Sequence, residues 1–194
     1  MTATVSETAP FPVEEGVWVV VLGELCVFTL FFITFLYYRS FSPELFEQSR
    51  ALLRQDLGAL NTIILLTSSW CVATAVRALR SVDGRPRALP LLLAALSCGV
   101  AFVVVKIFEY GGAINAGINV LTDEFFMFYF MLTGIHLLHL LVGMGLLAAT
   151  SVNLRRAIAS DSDVSEPLVG FSSCFWHMLD LVWIILFPLL YLLR

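Results

Sequence analysis

Five stretches of the chain, 17–38, 57–79, 88–108, 125–150 and 170–193, run almost without formally charged side chains. About 20 apolar residues in a helix cross the ~30 Å hydrocarbon core of a bilayer. Lipid offers backbone groups no hydrogen bonds, so each crossing segment must satisfy its own, which a helix does. The rest of the composition agrees. Residues are 59% hydrophobic, and only 11 Lys and Arg and 15 Asp and Glu occur in 194 positions. The mean hydropathy is +0.91. So little polar surface cannot cover a water-soluble core of this size. The expected fold is all-α: a polytopic membrane protein with five transmembrane helices in one bundle over 17–194, after a polar tail at 1–16. The connections are too short to fold as further domains.

The tail carries Glu7, Glu14 and Glu15 but no Lys or Arg, so it lacks the basic segment that opens a cleavable signal peptide. The formal charge of −4 is spread over loops, which leaves no basic patch and excludes nucleic acid as a partner. Cys26, Cys71, Cys98 and Cys174 lie within apolar stretches and show no C-x-x-C spacing. They read as small buried hydrophobes. Basic residues divide almost evenly between the two sides. Arg77, Arg80, Arg85, Arg87, Arg155 and Arg156 share the side of the N-terminus, and Arg39, Arg50, Arg54, Lys106 and Arg194 lie opposite. The loop RALRSVDGRPRALP is the most basic short connection and holds a turn signal at Asp83-Gly84, which favours the N-terminus inside and the C-terminus outside.

Helix rise places several ionisable groups at comparable depth. At 1.5 Å per residue, Glu24 and His177 each lie roughly 10 Å into helices that enter from the same face. The fourth stretch runs the opposite way, which brings His139 and Asp180 near that layer, with His136 one turn from His139. Charge in hydrocarbon costs several kcal/mol unless it is neutralised, paired or solvated. Glu24 has no basic residue in its own stretch, so it is either protonated or hydrogen-bonded to a His from another helix. Both a helix-linking and a proton-transfer role fit.

Other polar groups read as assembly features. Lys106 and Glu109, three residues apart with Tyr110 at the end of the third stretch, read as an interfacial anchoring pair. Trp18, Tyr37, Tyr38, Trp183 and Tyr191 suit aromatic belts near stretch ends. Gly134, Gly143 and Gly145 permit close helix approach beside Thr133 and His136, and Asn61-Thr62 and Ser68-Ser69 supply interhelical hydrogen bonds. Three His residues invite a haem or metal reading. The facing His pairs of a bis-His haem and the repeated Glu-x-x-His of a di-metal bundle are both missing, so no metal ligand and no cofactor is assigned to the chain.

Several motifs resemble subunit III of the haem-copper respiratory oxidases, the cytochrome c oxidase subunit 3 family, over nearly the whole chain. Gly23-Glu24 followed by a Phe-rich run is similar to the family's third helix with its buried glutamate. LNTIILLTSSW at 60–70 is similar to the next helix, and KIFEY at 106–110 to the Glu-Tyr helix end. TGIHLLH at 133–139 matches the family's Thr-Gly-x-His-Gly-x-His except that Leu137 replaces a glycine. WHMLDLVWIILF at 176–187 resembles its closing Trp-His-x-x-Asp-x-x-Trp pattern, with Trp176 and Trp183 as the aromatic positions. Full-length members have seven helices, and this chain starts at the third, without the two that complete a lipid-holding cleft. Short five-helix members are associated with nitric oxide reductases as well as oxidases.

The resemblance implies an accessory subunit without redox centres in a bacterial cytoplasmic membrane. Its partners would be membrane lipids and the catalytic subunit I of a haem-copper oxidase or a nitric oxide reductase, with haem, or haem and copper, in that subunit. It would support proton uptake and durability during turnover. By the same resemblance, Glu24 is the buried carboxyl, His139, His177 and Asp180 form the polar layer near it, and Glu109 is a carboxylate at the opposite face. A reading from a different class is a stand-alone proton channel or transporter built on Glu24, although no internal repeat is evident.

Overall fold

The computed structural model describes residues 15–80 and 84–193, which form six α-helices and no strand. They are α1 (Glu15–Phe41), α2 (Pro43–Arg50), α3 (Gln55–Ala78), α4 (Arg85–Asn115), α5 (Glu124–Ser160) and α6 (Glu166–Phe187), the last continued by a π-helical turn at Pro188–Leu192. All but α2 are long and apolar enough to cross a membrane. The expected all-α, five-span architecture is therefore what the chain adopts. The tail before residue 15 and Asp83 of the Asp83-Gly84 turn lie outside the described residues.

The helices outrun the predicted stretches because charge, which ends an apolar run, does not end a helix. α4 carries Lys106 and Glu109 within its length and continues to Asn115, so Glu109-Tyr110 is not a helix end. α5 has 37 residues, about 55 Å of helix, well beyond the ~30 Å hydrocarbon core. Its final turns carry exposed Arg155 and Arg156. The short α2 was not legible as a span because only one side of it is apolar. Phe46 is buried against Phe35 and Phe125, and the rest of α2 is largely polar.

α6 packs against α1, α3 and α5, α4 lies between α3 and α5, and α2 sits on α5. Lipid tails are as apolar as Leu, so close packing and interhelical hydrogen bonds, rather than hydrophobic burial, hold such helices together. The α5–α6 seam shows this at Gly143, where a Cβ would stand 2.8 Å from Leu179 Cδ1 and 3.0 Å from Trp176 Cε3. A Cβ at Gly99 would meet Met144 and Trp176 at 3.1–3.2 Å. Gly58 presses equally closely on Phe187 and Tyr191. Of the three glycines expected to allow close approach, only Gly143 does so within this chain. A Cβ at Gly134 or Gly145 would meet nothing within 4 Å.

Two further expectations are corrected. Cys26 is exposed and only Cys71 is fully buried, because a small apolar side chain serves as well against lipid as against a neighbouring helix. Trp183 and Tyr191 are buried rather than set in an aromatic belt, whereas Trp18, Tyr37 and Tyr38 are exposed. The difference lies in the helix: α6 is the most enclosed span, and its indole and phenol groups find partners inside.

Candidate functional site

Apart from His136, the ionisable residues singled out in the spans gather in three places. In the first, α1 brings Glu24 to His139 of α5, with Oε2 and Nε2 3.1 Å apart. His139 Nδ1 lies 2.8 Å from the carbonyl of Ile135, which can only accept, so Nδ1 carries a proton and Nε2 faces the carboxyl group. A proton on either partner would complete a hydrogen bond between Nε2 and Oε2. Either Glu24 holds it and donates to a neutral imidazole, or His139 holds it and faces a carboxylate. Both forms are neutral as a pair, which is what a mid-span site requires. Phe28 packs edge-on against His139, and both partners are partly exposed, with 30% of the Glu24 side chain and 24% of the His139 side chain accessible.

The second place joins α6 to α3. His177 Nδ1 is 2.8 Å from Ser69 Oγ and 3.8 Å from Asp180 Oδ2, and the Asp180 carboxyl oxygens are buried without a hydrogen-bond partner. The expected single layer of Glu24, His139, His177 and Asp180 is thus divided into two pairs. No hydrogen bond or ion pair links the pairs among the described residues, because α6 presents His177 towards α3 while α5 presents His139 towards α1.

The third place lies nearer the opposite face and is the most enclosed. Lys106 Nζ donates to Glu109 Oε2 at 2.9 Å and to Tyr191 Oη at 2.8 Å. Glu109 Oε1 accepts from Tyr129 at 2.9 Å and from Tyr191 at 2.5 Å. The ammonium also stands 5.1–5.7 Å from the ring centres of Tyr110, Tyr129, Trp183 and Tyr191. Lys106 is 1% and Glu109 5% exposed, so the pair is not an interfacial anchor. The i,i+3 spacing fixed the pairing, but three of the four rings that enclose it come from α5, α6 and the turn after α6, and spacing within one helix gives no sign of those. Tyr110 completes the edge of this cluster. Thr133 gives its hydroxyl proton to the Tyr129 carbonyl at 2.6 Å, so Tyr110 is the donor in its 2.6 Å bond to Thr133.

His136 does not share a role with His139. It is fully buried against the rings of Phe102 and Trp183, and neither of its nitrogens has a hydrogen-bond partner. Asn61, expected to bond across helices, is likewise buried with its amide unpaired. Its neighbours in sequence do make the expected links. Thr62 accepts from Trp183 Nε1 at 3.0 Å, and Ser68 accepts from Trp176 Nε1 at 3.1 Å while donating to the Ala95 carbonyl. Among the described residues no three His, Cys, Asp or Glu side chains converge as metal ligands would.

Comparison with known proteins adds an independent observation. The family described as Cytochrome c oxidase subunit III matches residues 4–193. The chain is 32% identical over 179 residues to the cytochrome c oxidase subunit 3 of Synechocystis sp., covering 92% of this chain and 74% of the relative. It is 27% identical over 184 residues to the quinol oxidase subunit 3 of Bacillus subtilis, covering 92% and 85%. It is 30% identical over 199 residues to the heme-copper oxidase subunit I+III of Aeropyrum pernix, covering 94% of this chain and 23% of that longer one.

Proposed function

The chain belongs to the cytochrome c oxidase subunit III family and is an accessory subunit III of a haem-copper oxidase, and from that premise we propose that its Glu24–His139 pair supports proton uptake by the catalytic subunit I. The observation that carries this reading is the 3.1 Å approach of Glu24 Oε2 and His139 Nε2, two partly exposed groups of α1 and α5 placed so that one proton could be shared between them. Relay through the pair needs a proton to enter at one partner as another leaves towards subunit I, which returns the pair to one shared proton and no net charge in hydrocarbon. Partial exposure gives the pair a route to groups of a neighbouring subunit.

In this reading the chain carries no redox centre, and the haem or haem–copper chemistry resides in subunit I. The relatives named above are cytochrome c and quinol oxidases, which supports oxygen rather than nitric oxide as the acceptor. The complex sits in a bacterial cytoplasmic membrane among lipids, with α1 starting on the inner side.

Replacing Glu24 by Gln in the assembled complex tests the role. The amide still donates a hydrogen bond to His139 but has no proton to transfer. The expected outcome is unchanged assembly and haem content, with proton uptake and sustained turnover reduced several-fold, and a similar loss for His139→Ala. Turnover and proton uptake equal to those of the unaltered complex would rule out the proton role. Absence of this polypeptide from the purified complex would end the subunit assignment. Reconstituted alone in liposomes, the chain is expected to pass no proton flux dependent on Glu24.

A further inference from the structure

Several exposed polar side chains within the spans are satisfied by the chain itself. The exposed hydroxyls of Thr29, Thr34, Thr67, Thr74 and Ser97 each bond the carbonyl four residues back in their own helix. Glu24 and His139 satisfy each other. His177 differs. Its Nδ1 is turned towards Ser69 and Asp180, its side chain is 41% exposed, and its Nε2 has no hydrogen-bond partner among the described residues. It lies 11 residues into the Glu166–Leu192 span, roughly 16 Å along the helix and so at the middle of the hydrocarbon. An outward imidazole nitrogen at this depth meets only acyl chains if lipid covers it, at a cost of several kcal/mol.

The surface around it has the shape of a helix seat. His177, Leu181 and Ile184 follow at i, i+4 and i+7, one outward stripe of α6, and Leu181 and Ile184 are both about half exposed. α1 and α3 both pack against α6, and α3 contributes exposed Leu66 beside Ser69. We propose that this α6 stripe seats a transmembrane helix of the catalytic subunit I, which presents a hydrogen-bonding side chain to His177 Nε2. The proposal rests on the chain being the subunit III partner of subunit I. It adds the face that docks and the polar group that fixes the register. An apolar helix fits the leucine and isoleucine surface, and one polar group on it completes a bond that lipid tails cannot make.

The test uses the complex purified through a tag on subunit I. A photo-crosslinking residue at Ile184, which leaves His177 intact, is expected to capture subunit I, and the same residue at exposed Leu138 on α5 to capture it several-fold less. His177→Ala is expected to lower the amount of this chain retained on subunit I by about three- to fifteenfold, the range for one interhelical hydrogen bond. His177→Gln, which keeps a polar tip, recovers part of the loss. The membrane level of each variant before detergent extraction reports folding. Crosslinks from position 184 that reach only lipid or a second copy of this chain, while the unaltered chain still co-purifies with subunit I, overturn the docking face. Failure of the unaltered chain to co-purify overturns the premise instead.

Discussion

Lys106 and Glu109 show what a single residue's surroundings can do to its meaning. Both are charged and three apart, a pattern that elsewhere marks a solvated helix end. Here four rings and two phenol hydroxyls surround them, and each carboxylate oxygen is occupied. A buried ion pair contributes little over an apolar replacement of similar shape, but removing one member leaves an uncompensated charge. Lys106→Met is therefore expected to destabilise the protein by about 3–5 kcal/mol. The double variant Lys106→Met/Glu109→Gln should recover much of that loss. Thermal unfolding in mild detergent checks the order, and a double variant no better than the single one would contradict it. Of this cluster, only Lys106, Glu109 and the adjacent Tyr110 were legible in the sequence. Its enclosure depends on Tyr129 and Tyr191, 20 and 82 residues from Glu109 along the chain.

At the scale of elements, α2 is held by a few defined contacts. Asp123 caps α5 by accepting from the Phe126 N–H at 2.8 Å, and its other oxygen accepts from Ser49 of α2 at 2.6 Å. Arg50 reaches the Tyr191 carbonyl at 3.1 Å. One carboxylate thus starts a span and fastens a surface helix. Asp123→Ala is expected to cost about 1 kcal/mol for the lost cap and also to loosen α2. Ser49→Ala removes only the tether. Hydrogen exchange of the 43–50 amides should rise in both variants, whereas that of the first turn of α5 should rise only in Asp123→Ala. Equal protection in the unaltered chain and both variants would show that Phe46 packing alone holds α2. The five long helices were readable because an uninterrupted apolar run needs no tertiary information. α2 was not, since eight mixed residues become a helix here through Phe46, Ser49 and Arg50 docking on elements remote in sequence.

At the scale of the whole molecule, the spans alternate so that the α1 start, the α3–α4 connection and the α5–α6 connection share one face. The basic groups Arg77, Arg80, Arg85, Arg87, Arg155 and Arg156 lie on that face against five on the other, and we propose that it faces the cytoplasm. Single cysteines at Ala116 and Ser162, in a variant lacking the native four, test this with a membrane-impermeant thiol reagent on intact cells. Position 116 is expected to label and position 162 only after permeabilisation, and the reverse pattern would invert the topology.

By itself the sequence determined the membrane class, the five spans, their alternation and the family motifs, because these depend on hydropathy over ~20 residues and on residues close together in the chain. The tertiary structure alone decided which polar groups meet. Matching depth allowed Glu24 of α1 to meet His139 of α5, and Asp180 follows His177 by three residues on α6. Depth does not specify rotation about a helix axis, and that rotation turned His139 to Glu24, His136 to the rings of Phe102 and Trp183, and His177 outward beside Ser69.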